Sequence, residues 1–167
     1  MNAYQLCALG MLAAAVSACG GDEASMMSDY TQDLGRHLDE VQAEHKAHSS
    51  EVAAASDLET INRAEDDHRQ RMNDQMSQTD MVMGHMMSCT DARGAHFDGA
   101  PFAGMMQDMR SECDDHRTAM QGAATIDAAR TEESRHQDAM RERHDGMRDQ
   151  MGRMMGQGSG FSCPHGM

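Results

Sequence analysis

The chain has 167 residues, enough for one domain with a core of moderate size. Its formal charge of −14 excludes nucleic acid and anionic lipid headgroups as attractive partners and favours cations. With 20 Met, no Trp, 3 Phe and 2 Tyr, any core is filled mainly by Met, Ala and a few Leu, Ile and Val, which makes it adaptable rather than sharply specified.

Ala, Met, Glu, Gln and Arg abound, Pro occurs twice, and β-branched and aromatic residues are scarce. Helix is therefore expected throughout, with no strand. In residues 1–18 an apolar run from Leu6 to Val16 is closed by Val16-Ser17-Ala18-Cys19, and no Lys or Arg precedes it. The run is too short to span a bilayer as a mature helix and ends in small residues, as a cleavable export signal does. These last four residues resemble a bacterial lipoprotein lipobox. The resemblance implies cleavage before Cys19, lipid attachment to Cys19, and a periplasm-facing protein anchored to a membrane of the cell envelope. Residues 19–28, with Gly20-Gly21, Asp22 and Glu23, read as a tether.

A four-helix region is expected over 29–156. The first helix runs from about Asp29 to Ala55, and Ser56 with Glu59 has the spacing of a capping box that starts the second. That helix continues to about Ser88. Gly94, Gly99 and Pro101 interrupt the pattern before a third helix, which runs to about Ala123, and a fourth starts after Ala124-Thr125. The second helix, about 30 residues, is roughly 45 Å long. Residues 89–100 barely cover that distance when fully extended. The expected fold is therefore all-α: an up-down-up-down four-helix bundle with both tight turns at one end. Residues 157–167 read as an irregular tail.

The halves repeat. Leu58, Ile61, Glu65, His68, Met72, Thr79 and Met86 share one helical stripe, and Ile126, Ala129, Glu133, His136, Met140, Met147 and Met154 repeat it. Glu65 and Glu133, His68 and His136, and Met72 and Met140 are each 68 positions apart, as are Glu44 and Glu112, and His48 and His116. This reads as two duplicated hairpins, about 29–88 and 101–156. Antiparallel pairing across the turns predicts two inward layers. One holds Glu44, His68, Glu112 and His136; the other holds His48, Glu65, His116 and Glu133.

Eight ionisable groups in a bundle centre are costly unless paired, and imidazole with carboxylate matches Zn, Fe, Mn or Cu. Glu44, Glu65-x-x-His68, Glu112 and Glu133-x-x-His136 resemble the ligand pattern of ferritin-like and designed di-iron carboxylate bundles, in which two helices supply one Glu each and two supply Glu-x-x-His. The resemblance implies a metal-binding bundle whose ligands are those residues. His48 and His116 exceed that ligand set, and the ferritin crossover is missing. Two other readings of the residues stand beside it: buried Glu–His pairs that set helix register in a Met-rich core, and exposure of the same residues through a shifted register.

The methionines suit a core, and they also suit Cu(I), especially near His85 and in the terminal Cys163-Pro164-His165-Gly166-Met167. Cys89 and Cys163 both follow long helices and are expected to form a disulfide in an oxidising compartment. Cys113 is left as a buried thiol or an accessory ligand. His45 and His96 lack matching histidines at the 68-residue shift and are expected at the surface. No Ser/His/Asp arrangement, phosphate loop or haem-attachment motif occurs. The leading functional reading is an envelope lipoprotein that binds transition metal ions for buffering, storage or resistance, without catalysis and without a nucleic-acid partner. A di-metal redox or hydrolytic enzyme and a metal-free interaction bundle are the alternatives.

Overall fold

The computed structural model describes the backbone of residues 4–91, 93–157 and 161–162, and side chains over 27–91 and 93–153. Helices α1 (Tyr4–Ala54), α2 (Leu58–Met87), α3 (Ala100–Gly122) and α4 (Ile126–Gln157) form an all-α, up-down-up-down four-helix bundle. Cross-helix partners show that neighbours run antiparallel. His48 and Glu44 of α1 meet Glu65 and His68 of α2, and Leu38 and Ala53 of α1 meet His144 and Arg130 of α4. α1 packs on α2 and α4, and α3 packs closely on α4 and more sparsely on α2.

Helix α2 starts differently from the expected capping box. Asp57, not Ser56, is the N-cap, and its Oδ1 accepts from Thr60 N at 2.7 Å. An Asp side chain holds that donor as well as a Ser does and adds charge that favours the helix N-terminus. Helix α1 is also longer than expected: it begins at Tyr4 and continues through Gly20-Gly21 instead of breaking there. The Ala- and Leu-rich stretch is a strong helix former, and two glycines without proline cost only about 1 kcal/mol each. The side chains of the lipobox, Cys19 included, lie outside the described residues, as do Cys163 and most of the tail.

Two short strands occur where none was expected. Thr90–Asp91 (β1) and Phe161–Ser162 (β2) pair antiparallel, Thr90 opposite Ser162. They lie at the bundle end away from the tight turns. The loop is folded back on itself there: Asp91 Oδ1 accepts from Arg93 N and Ala95 N, Gly94 takes φ +80°, and Thr90 bridges to His96. Gly99 permits close approach of α2, since a Cβ there would stand 2.8 Å from Met87 Cγ. Cys89 is fully buried and disulfide-bonded.

The core is divided in two. A small apolar cluster of Val52, Ala55, Ile61, Met120 and Ala129 closes the end with the tight turns. A larger one, including Leu34, Leu38, Met72, Met86, Phe102, Met109 and Met147, fills the other end. Between them lies a buried polar zone of Glu and His contributed by all four helices. The expected stripes are buried at Ile61, Glu65, His68, Met72, Thr79 and Met86 of α2, and at Ala129, Glu133, His136, Met140 and Met147 of α4.

Candidate metal centre

The polar zone exists because each helix places ionisable residues in register with its apolar stripe. On α2, Glu65 and His68 lie between Ile61 and Met72; on α4, Glu133 and His136 lie between Ala129 and Met140. A three-residue step keeps Glu and His on one face, one turn apart.

The structure brings His48, Glu65, His116 and Glu133 into one ring. His48 Nε2 stands 3.2 Å from Glu65 Oε2 and 3.3 Å from Glu133 Oε2. His116 Nε2 stands 3.3 Å from Glu65 Oε2 and 3.2 Å from Glu133 Oε2. All four residues are at most 3% exposed. The four atoms lie at ion-pair distance, yet none makes a hydrogen bond of acceptable angle. Donors bound at about 2.0 Å around a tetrahedral ion are separated by roughly 3.3 Å, which these four contacts match, and ligand atoms of His48, Glu65 and His116 lie within 4.8 Å of one another.

The neighbouring layer is rearranged relative to expectation. His68 and His136 are inside it, but the third inward residue is His45. Ligand atoms of His45, His68 and His136 lie within 4.8 Å of one another. His45 is 5% exposed, which corrects its expected surface position; His96 is exposed, as expected. Gln137 of α4 donates to the His45 carbonyl and to Glu133 Oε1, the latter at 3.0 Å, bracing α1 against α4.

Glu44 and Glu112 stand behind this trio. His68 Nδ1 lies 2.9 Å from Glu44 Oε1, and His136 Nδ1 lies 3.5 Å from Glu112 Oε1. Arginines hold both carboxylates from outside: Arg71 on Glu44 at 2.8 Å, and Arg135 and Arg143 on Glu112 at 2.9 and 3.1 Å. His45 Nδ1 donates to Val41 O at 2.8 Å. Each imidazole of the trio thus has its Nδ1 facing an oxygen while its Nε2 is buried without a hydrogen-bond partner. Such an arrangement fixes the tautomer and turns the Nε2 lone pair toward a metal. His116 Nδ1 likewise faces an oxygen, 3.2 Å from Glu132 Oε1. The layers touch through stacked rings, His48 on His68 at 4.2 Å and His116 on His136 at 3.9 Å between centroids.

The two groups differ in charge. Burial opposes a charge on His48 and His116, but Glu133 and Glu65 outweigh it and raise both imidazoles to about 9. Burial likewise pushes Glu65 and Glu133 up, and the same two histidines reverse this and hold both carboxyls well below their ordinary value. In the trio, burial and the neighbouring imidazoles act together. His45 falls to about 4, through burial and then His68. His68 is lowered by burial and by His48, and His136 by burial and by His116. Without metal, then, the quartet is two imidazoliums against two carboxylates, and the trio is neutral.

The signal for His45 was present in the spacing Val41, His45, His48, Val52, all of which are buried. It was obscured because the position 68 residues on is Cys113, not a histidine. The buried Glu and His groups can hold a metal ion. No protein-family model, curated protein or solved structure matches the chain.

Proposed function

We propose that this protein binds divalent transition metal ions within its bundle, and that it buffers or stores them at a bacterial cell envelope to which Cys19 anchors it. The observation that carries the metal reading is the convergence of buried donor atoms that lack hydrogen bonds. Nε2 of His48 and His116 and Oε2 of Glu65 and Glu133 meet at 3.2–3.3 Å, and Nε2 of His45, His68 and His136 are unpartnered beside them. Imidazolium–carboxylate pairing can hold the empty quartet, but the Nε2 atoms of the trio face no carboxylate, and a purely structural layer would not leave them so, since each buried polar atom left unpaired costs about 1–3 kcal/mol.

The quartet supplies two imidazoles and two carboxylates, so a divalent ion there is neutralised by its ligands. Four protein donors close such a site, which suits retention over turnover. The donor set matches Zn, Fe, Mn or Cu, with harder ions favoured by the carboxylates. The envelope location rests on the lipobox-like Val16-Ser17-Ala18-Cys19, and an oxidising compartment agrees with the disulfide at Cys89. Its partner is proposed to be Cys163, which adjoins Ser162, the residue paired with Thr90.

The test is metal analysis of the full chain, purified without chelators, by inductively coupled plasma mass spectrometry. A Glu65→Gln/Glu133→Gln variant and a His45→Gln variant are carried alongside, with helicity checked by circular dichroism. The wild type should retain a first-row metal and the double variant should lose the quartet's share of it. A folded wild type that takes up no Zn, Fe, Mn or Cu would refute the proposal.

A further inference from the structure

The bundle has two seams related by the 68-residue repeat, and their linings differ. A cavity of about 80 Å³ between α1 and α4 is lined by His45, Gln137, Met140 and His144. A cavity of about 140 Å³ between α2 and α3 is lined by Cys113, Arg69, Met72 and Met76, the residues 68 positions away from those four. The α2/α3 seam is also the more sparsely packed. Although the α1/α4 seam opens again toward the tight turns in a cavity of about 350 Å³ lined by Val52, Glu133 and Gln137, at this height the imidazole of His45 fills space that the smaller Cys113 leaves free.

That room reaches the metal centre. His68 and His136, 2% and 0% exposed, line the α2/α3 cavity, and each has an unpartnered Nε2. His45 approaches the same two rings from the opposite side. An ion held by His45, His68 and His136 has three protein donors, which leaves a fourth position, and the free space adjoining it is on the Cys113 side. Arg69, Arg110 and Arg117 line the cavity together with Glu65 and Asp114, so the preference for an anion comes from the ion itself: a divalent cation on three neutral imidazoles is uncompensated and attracts a negative ligand into the adjoining space.

We propose that the α2/α3 cavity is a binding site for a small anion, which enters past Cys113 and completes the coordination of an ion held by His45, His68 and His136. This rests on the metal-binding reading above. Glu65 and His116 of the quartet also line this cavity, so the two layers differ in donor count rather than in access: four donors fill the shell of an ion in the His/Glu site, whereas the three-histidine site leaves one position that exchanges its ligand with the surroundings.

The test uses Co(II)-loaded full-length protein and azide, followed by the visible ligand-field spectrum, with cobalt content measured in every sample. Azide should shift the wild-type spectrum saturably. Cys113→Leu, which fills the cavity without offering a donor, should weaken azide binding at least ~tenfold while retaining cobalt. Cys113→Ser, which leaves the space open, should bind azide like the wild type. Retained cobalt with no azide response overturns the anion site and leaves the metal reading intact. So does a sulfur-to-cobalt charge-transfer band that disappears in Cys113→Ser, because the thiol itself would then occupy the fourth position. Equal azide affinity in Cys113→Leu overturns the route. A folded protein that takes up no cobalt overturns both readings.

Discussion

Removing metal should leave a protein whose stability peaks near pH 6.5 and falls on both sides. The sign follows from which state holds more protons. His48 and His116 have folded values of about 9 against 6.5 when unfolded, so their contribution is complete below 6.5 and is lost as the pH rises through 9. His45 has a folded value of about 4, so between 4 and 6.5 the unfolded chain binds the extra proton and stability rises with pH. The lowered values of His68 and His136 act in the same direction. Glu65 and Glu133, also lowered, contribute above 4.5 and lose that contribution as the pH falls further. The rise from 6.5 to about 9 corresponds to roughly 3 kcal/mol, and since both imidazoliums share the same two carboxylates, about 3 kcal/mol serves for the quartet as a whole. At about 2–4 °C per kcal/mol for a chain of this length, the midpoint should drop by roughly 6–12 °C between pH 6.5 and pH 9. Thermal melts followed by far-ultraviolet circular dichroism, in chelator, measure this directly. Saturating metal should flatten the alkaline limb, because metal binds neutral imidazole and its affinity rises as protons leave. A chelated protein whose midpoint is level or rising from pH 6.5 to 9 would refute the imidazolium–carboxylate quartet.

Two further predictions concern residues that act on the site or the fold through others. Glu44→Gln and Glu112→Gln should each weaken metal binding by about 10–100-fold without removing a ligand, as expected for groups that orient ligating imidazoles; competition with a chromophoric chelator reads the affinity, and complete loss of binding would make these carboxylates ligands themselves. Asp57→Ala should destabilise the protein by about 1 kcal/mol and Ser56→Ala by much less, since only Asp57 caps α2; denaturant unfolding of the two variants in parallel decides it, and equal losses would restore the Ser56 capping box.

The helices and their inward faces were legible in the sequence because periodicity is a local property. Ile61, Glu65, His68 and Met72 fall on one stripe whatever they pack against, and Ala129, Glu133, His136 and Met140 do the same. Tight turns at Asp57 and Thr125 then set the antiparallel register that brings His48 beside Glu65 and His116 beside Glu133. Tertiary structure decided which residues at the stripe edges turn inward. Glu44 and His45 are neighbours on α1 and both are buried, but Arg71 draws Glu44 toward α2's outer side while His45 points at His68 and His136. Glu112 is drawn outward in the same way by Arg135 and Arg143, and Cys113 takes the place that His45 has on the other side. The strand pair at Thr90 and Ser162 was invisible for a related reason: two residues carry no period, and their pairing depends on distant segments meeting. Sequence periodicity fixes a side chain's angle about its own helix axis, whereas the long charged side chains of the neighbouring helices determine whether an edge residue faces the centre or the solvent.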